Sequence, residues 1–150
     1  MVESPVGRLA LMSVRPEFAD AILAGTKTVE FRKRPLADDV SYVVLYSTLP
    51  VAAVVGLCQV GKQVTTTPTK LWSLYSGVAG ISKRRLLDYY SGYPEGTAID
   101  LTTVYTLLTP LSLSESVGIG RPPQSFQYLN DRQATQVWRL FASENDLAPI

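Results

Sequence analysis

The chain has 150 residues, enough for one domain with a single core and too few for a comfortable two. Its 46% hydrophobic and 18% charged residues exclude a disordered chain, and a single cysteine, Cys58, excludes an intrachain disulfide. The absence of histidine removes Ser/His/Asp and Cys/His catalysis and imidazole metal sites, and a net charge of only +1 gives no whole-molecule attraction for nucleic acid.

Residues 1–14 contain no basic stretch followed by a long apolar run, so no signal peptide is expected. The longest apolar run, Val51 to Leu57, is interrupted by Gly56 and is far too short to span a bilayer. These features predict a soluble, cytoplasmic protein with no membrane partner.

Leu9 to Val14 reads as a first buried strand. Pro16 suits the first turn of a helix, in which Phe18, Ala21 and Ile22 fall at helical spacing. Glu17 and Asp20 lie towards its N-terminal end, where carboxylates favour the dipole, and Gly25 is expected to close it in the left-handed conformation. Residues 28–32 alternate polar and apolar, predicting a half-buried strand with Val29 and Phe31 on the core. Thr28, Glu30 and Arg32 then share the opposite face. Residues 35–39 form a turn. Two β-rich runs, Tyr42 to Ser47 and Ala52 to Val60, flank a turn at Leu49 and Pro50.

Residues 62–69 are expected to be a loop, with Thr67 or Thr69 capping a helix around Leu71 to Tyr75. Ser82 caps a second helix, and Gly96 opens another strand running through Tyr105. Residues 111–121 are a Ser- and Gly-rich connection, followed by a short segment at residues 124–129. Residues 131–143 form a terminal helix with Ala134, Val137, Trp138 and Phe141 on one face. Short strands with helices between them predict an α+β fold, a small barrel.

The densest charge is at residues 27–34, where Lys27, Arg32, Lys33 and Arg34 surround Glu30. A helix end delivering the chain into a cationic strand suits phosphate, which needs positive charge beside backbone amides. The plainer reading is a solvated edge strand whose charges discourage aggregation. Arg15 either joins this cluster or pairs on the surface with Glu17 or Asp20. Tyr46, Ser47, Ser125, Phe126, Gln127 and Tyr128 are candidates for a nucleobase pocket, since aromatic faces stack on bases and Gln or Ser reads base edges; core packing is the alternative for the aromatics. Lys83, Arg84 and Arg85 are a solvated helix face or an extension of an RNA track. Glu30 is either a general base or magnesium ligand, assisted by Asp38 or Asp39, or the partner that orients Arg32 and Lys27. Cys58 reads as an inert core residue.

Residues 11–16 and residues 22–34, with Gly25, Lys27, Glu30 and Arg32 at the spacing Gly-x-Lys-x-x-Glu-x-Arg, resemble the signature of the ASCH domain family. Residues 46–50, the strand around Gly56 and residues 122–129 are similar to its longer bacterial and archaeal members. The resemblance runs from about residue 9 to 130. It implies one domain over residues 1–150 with a PUA-like β-barrel, helices in its connections and a C-terminal helix. It also implies a binding cleft beside the signature, in a fold often linked to RNA and modified nucleosides.

The family's activities are mixed: RNA-binding modules, a metal-dependent ribonuclease, and an amidohydrolase branch acting on N4-acetylcytidine. That branch uses a lysine and a threonine three residues later. Here Lys27 is present, but the later position is Glu30 and Thr28 is adjacent, so the nucleophile is missing from its expected place.

Three readings follow. In the first, Lys27, Arg32 and Arg15 hold the phosphate of an RNA or nucleotide ligand, Glu30 orients them and an aromatic residue stacks a base. In the second the protein is a hydrolase acting on RNA or a modified nucleoside, with Lys27 and Glu30 in the active site and magnesium or manganese as cofactor of a nuclease. The third, a protein scaffold resting on the terminal helix, predicts a stable dimer.

Overall fold

Alternation along the first strand sends Leu9 and Leu11 to one face and Ala10, Met12 and Val14 to the other, and both sets are buried. A central strand covered on both sides needs two further layers, and the rest of the chain supplies them. A computed structural model describes residues 7–147. Their elements are β1 (Arg8–Val14), α1 (Pro16–Ala24), β2 (Val29–Arg32), β3 (Val40–Ser47), β4 (Ala53–Thr66), α2 (Pro68–Tyr75), α3 (Lys83–Tyr89), β5 (Gly96–Leu111), α4 (Leu113–Ser116), β6 (Phe126–Tyr128) and α5 (Asp131–Ala142). Residues 1–6, and with them part of the opening segment read for a signal peptide, lie outside the described residues. No helix among those described is long and apolar enough to cross a membrane.

The strands form one curled mixed sheet in the order β2-β5-β4-β3-β1-β6. Only β1 with β3 is parallel; the other pairs are antiparallel. The barrel expected from the sequence is a half-barrel, hydrogen-bonded as an open sheet with β2 and β6 at its edges. One face carries Leu9, Leu11, Val44, Tyr46 and Leu57 against α4 and α5, where Val137, Trp138 and Phe141 are buried. The opposite face packs Met12, Val43, Leu45 and Ile99 on α1 through Ala19 and Ile22. A third cluster joins Val29, Phe31 and Ala98 to α2 and α3 through Leu71, Leu86 and Tyr90.

Three local expectations change. Residues 62–66 continue β4 rather than forming a loop, because β5 extends to Gly96 and pairs with them, with Thr65 and Thr97 hydroxyls 2.8 Å apart. Thr67 is then the cap of α2, its hydroxyl accepting from Lys70 N. The connection after β5 holds the short α4, started by a capping box of Ser112 and Glu115. Finally, β2 is not half-buried: all four of its residues are buried.

Candidate functional site: a buried Lys-Glu-Arg cluster in a cationic cleft

The burial of β2 decides the nature of residues 27–34. Val29 and Phe31 face α2 and α3, which sends Glu30 and Arg32 to the inner side, where their ionic groups also lose water. The solvated-edge reading therefore fails at its centre: Lys27 is 2% exposed, Glu30 6% and Arg32 8%. Buried charges persist only when paired and hydrogen-bonded, and these are.

Arg32 Nη2 donates to Glu30 Oε2 at 2.7 Å and to the Ser13 carbonyl at 2.8 Å. Its Nη1 donates to Ser125 Oγ at 3.1 Å. Ser13 is the penultimate residue of β1 and Ser125 precedes β6, so one guanidinium ties edge strand β2 to the far side of the sheet. Arg32 Nε is buried with no partner among the described residues. Tyr90 of the α3 turn donates its hydroxyl to the Arg32 carbonyl at 2.9 Å, fixing the backbone beneath.

Lys27 approaches the same carboxylate from the end of α1. Gly25, at φ 83°, closes that helix, and its N–H reaches back to Ile22 O. Two residues later Lys27 Nζ donates to the Ala79 carbonyl at 2.5 Å and lies 3.6 Å from Glu30 Oε1. It also stands over the rings of Phe18 and Phe31, 5.2 and 5.1 Å from their centroids. Burial pushes the Lys27 ammonium pKa below its ordinary value, and the charge of Glu30 opposes that shift. The loop bearing Ala79 crosses close above: a Cβ on Gly80, at φ 64°, would stand 2.8 Å from Lys27 Cβ and Cγ.

The cluster forms the floor of a cleft of about 1380 Å³. Arg15, Lys33, Arg34 and Arg85 add four cations to its wall against one further acid, Asp88. Arg85 bonds Glu17 of α1 through both terminal nitrogens, at 2.8 and 3.1 Å. Aromatic lining comes from Phe18, Tyr89, Tyr93, Phe126 and Tyr128. The basic run at residues 27–34 is thus gathered with Arg15 and Arg85 around one cleft.

Of the candidate residues, Arg15, Lys27, Glu30, Arg32, Ser125, Phe126 and Tyr128 all line this cleft. Four other candidates do not. Gly25 shapes the turn that delivers Lys27. Tyr46 packs in the core beneath α5, the alternative left open for it. Ser47 is 1% exposed, shares the alternation of Val43 and Leu45, and its hydroxyl has no partner among the described residues. Gln127 points to the opposite side of β6 from Phe126 and Tyr128 by strand alternation. The face of Tyr128 is already occupied by Arg8, 4.2 Å from its centroid, and Arg8 in turn is paired with Asp39. Asp39 therefore belongs to a surface ion pair rather than to Glu30.

The cleft also takes Ser13, Thr48, Tyr89 and Tyr93, none of them a candidate from sequence, and Arg85, read from sequence as part of a solvated helix face or an extension of an RNA track. Lys33 and Arg34 carried a signal, their place in the basic run. Tyr89 and Tyr93 carried none, since only the docking of α3 on β2 brings them to the cleft.

The donor set offers no all-protein cage for a divalent ion. Glu30 is neutralised on both oxygens by Arg32 and Lys27, four more cations line the wall, and no group of three His, Cys, Asp or Glu that could hold a metal occurs among the described residues. A Glu30 so held is a positioning group for its two cations.

The α+β half-barrel with a buried Lys-Glu-Arg cluster facing its cleft is of the PUA-like class. No protein-family profile matches the chain. A curated relative from Zymomonas mobilis, described as an ASCH domain-containing ribonuclease, is 33% identical over 144 residues, 93% of this chain and 97% of the relative. The crystal structure of ASCH from Zymomonas mobilis superposes with a TM-score of 0.78 at 33% identity, covering 86% of this chain and 92% of that one. A serine-to-alanine variant of that protein gives a TM-score of 0.77 at 34% identity, covering 88% and 94%. The chain belongs to the ASCH domain family.

Proposed function

We propose that this protein binds RNA in the cleft above Lys27, Glu30 and Arg32. One observation carries the reading: a buried ionic cluster of two cations about one carboxylate opens onto a wall of four further cations. Such a surface suits a polyanion. Phosphate contacts supply most of the affinity, so binding weakens steeply with salt.

The name of the Zymomonas mobilis relative favours a second reading, in which the bound RNA is also cut. Lys27 and Arg32 would then stabilise negative charge developing on the phosphate. Glu30 holds both cations in place.

A fluorescent single-stranded RNA tests both readings in one tube, with polarisation for binding and a denaturing gel for cleavage. Magnesium and EDTA arms are run beside Lys27→Ala and Glu30→Ala. Salt-sensitive binding lost in Lys27→Ala supports the binding reading. Product bands that vanish in Lys27→Ala and persist in EDTA support cleavage by the protein's own side chains. Neither binding nor bands overturns both.

A further inference from the structure

We infer that Tyr89 and Tyr93 form a base-stacking subsite at the mouth of the cleft, so that the ligand is single-stranded RNA with an unpaired base. The inference rests on the RNA-binding reading and names its substrate class. Tyr89 ends α3 and Tyr93 lies in the turn beyond it, 38% and 45% exposed. Their placement is fixed from below, because Tyr90 between them is 1% exposed and bonded to the Arg32 and Thr97 carbonyls. Lys33, the residue after Arg32, extends its ammonium over both rings, 4.9 Å from the Tyr89 centroid and 4.5 Å from that of Tyr93. Two half-exposed rings beside a phosphate-binding floor are what a base needs whose phosphate sits at Arg32.

Lys33 occupies these rings only in the absence of a base. A lysine over an exposed ring gains about 2- to 5-fold, whereas a base stacked on an aromatic ring gains about 5- to 150-fold. The exchange favours the base, and the displaced ammonium is free to pair with its phosphate. A cationic ligand is disfavoured, since the subsite already holds Lys33 and adjoins Arg34. Paired RNA keeps its bases stacked on one another and presents none to the rings.

The test is fluorescence polarisation with a single-stranded RNA of about ten nucleotides, the same RNA as a duplex, and an abasic tetrahydrofuran backbone of equal length. Wild type is compared with Tyr93→Leu, Tyr93→Phe and Lys27→Ala. The expected result is about 5- to 100-fold weaker binding of single-stranded RNA by Tyr93→Leu, recovery in Tyr93→Phe, and no effect of either on the abasic backbone. Equal single-stranded binding by Tyr93→Leu and wild type, with Lys27→Ala impaired, removes the subsite and leaves the cleft as the RNA site. Equal loss on the abasic backbone also overturns stacking. Duplex bound as tightly as single strand overturns the substrate class. Absence of binding to every RNA by wild type removes the subsite and the RNA reading together.

Discussion

Arg32 and Glu30, two residues apart on β2, bond at 2.7 Å while their side chains are only 10% and 8% exposed. On an exposed strand this pair would contribute little. Here the carboxylate also neutralises Lys27, so it is the one anion between two buried cations. Glu30→Ala leaves both cations buried without compensation and is expected to destabilise the fold by about 3–5 kcal/mol. Urea denaturation of variant and wild type checks this, and Glu30→Gln, which keeps the shape and a hydrogen-bond acceptor, is expected to cost less.

Lys27 gives a pH dependence of defined sign. Its folded pKa lies below the ordinary 10.5, so in the window just below 10.5 the unfolded chain binds more protons than the folded one. The contribution of this group to stability therefore rises with pH through that window, the burial cost being present in full below it and gone above it. Lys27→Met removes the contribution. The difference in unfolding free energy, wild type minus Lys27→Met, is expected to increase as pH is raised towards 10.5.

Gly80→Ala forces a Cβ against the Lys27 stem and places a side chain at φ 64°. The expected loss is about 1–3 kcal/mol. In a Lys27→Ala background the contacts with Lys27 Cγ and Cδ are relieved, while the contact with its Cβ and the backbone cost remain. A double-mutant cycle by thermal unfolding should thus be non-additive, with the double variant more stable than the sum of the singles predicts.

Cys58 lies in β4 with its thiol pKa pushed by burial up to about 12. At pH 8 the native protein should not react with a thiol reagent on the timescale of a free cysteine, and labelling should follow unfolding. Rapid labelling of the folded protein would contradict this placement.

Arg15 and Arg34 line the cleft wall without an ion pair drawn to either among those of the described residues. Replacing either by alanine is expected to weaken binding of all single-stranded sequences alike. The slope of log affinity against log salt should shrink by about 0.7 for each phosphate that the protein no longer neutralises. Polarisation titrations at several salt concentrations check both effects.

The elements that repeat a local pattern could be read from the sequence. Pro16 and Gly25 bracket α1, Ser82 caps α3, and Val137, Trp138 and Phe141 mark the buried stripe of α5. Alternation along a short strand places Glu30 and Arg32 on one face, and the Gly-x-Lys-x-x-Glu-x-Arg spacing joins Lys27 to them. What periodicity does not hold is the partner. Residues 62–66 look like a loop until β5 pairs with them, and Thr28-to-Arg32 looks half-wet until α2 and α3 cover its outer face. Tyr46 and Tyr128 were equivalent aromatics in sequence; α5 buries one, and Arg8 covers the other. Tyr89 and Tyr93 reach the cleft only through the docking of Tyr90.

Arg32 donates a hydrogen bond to Ser125, 93 residues further along the chain, and β1 pairs with β6 across a similar separation. A nascent chain synthesised from its N-terminus can build the β1-β3-β4-β5-β2 portion before residue 125 exists. Until then the guanidinium lacks the serine that helps hold it, and the cleft lacks the wall contributed by residues 124–128. Completion of the site is thus a late event of synthesis, and a chain stalled short of β6 carries a cleft that is still unfinished.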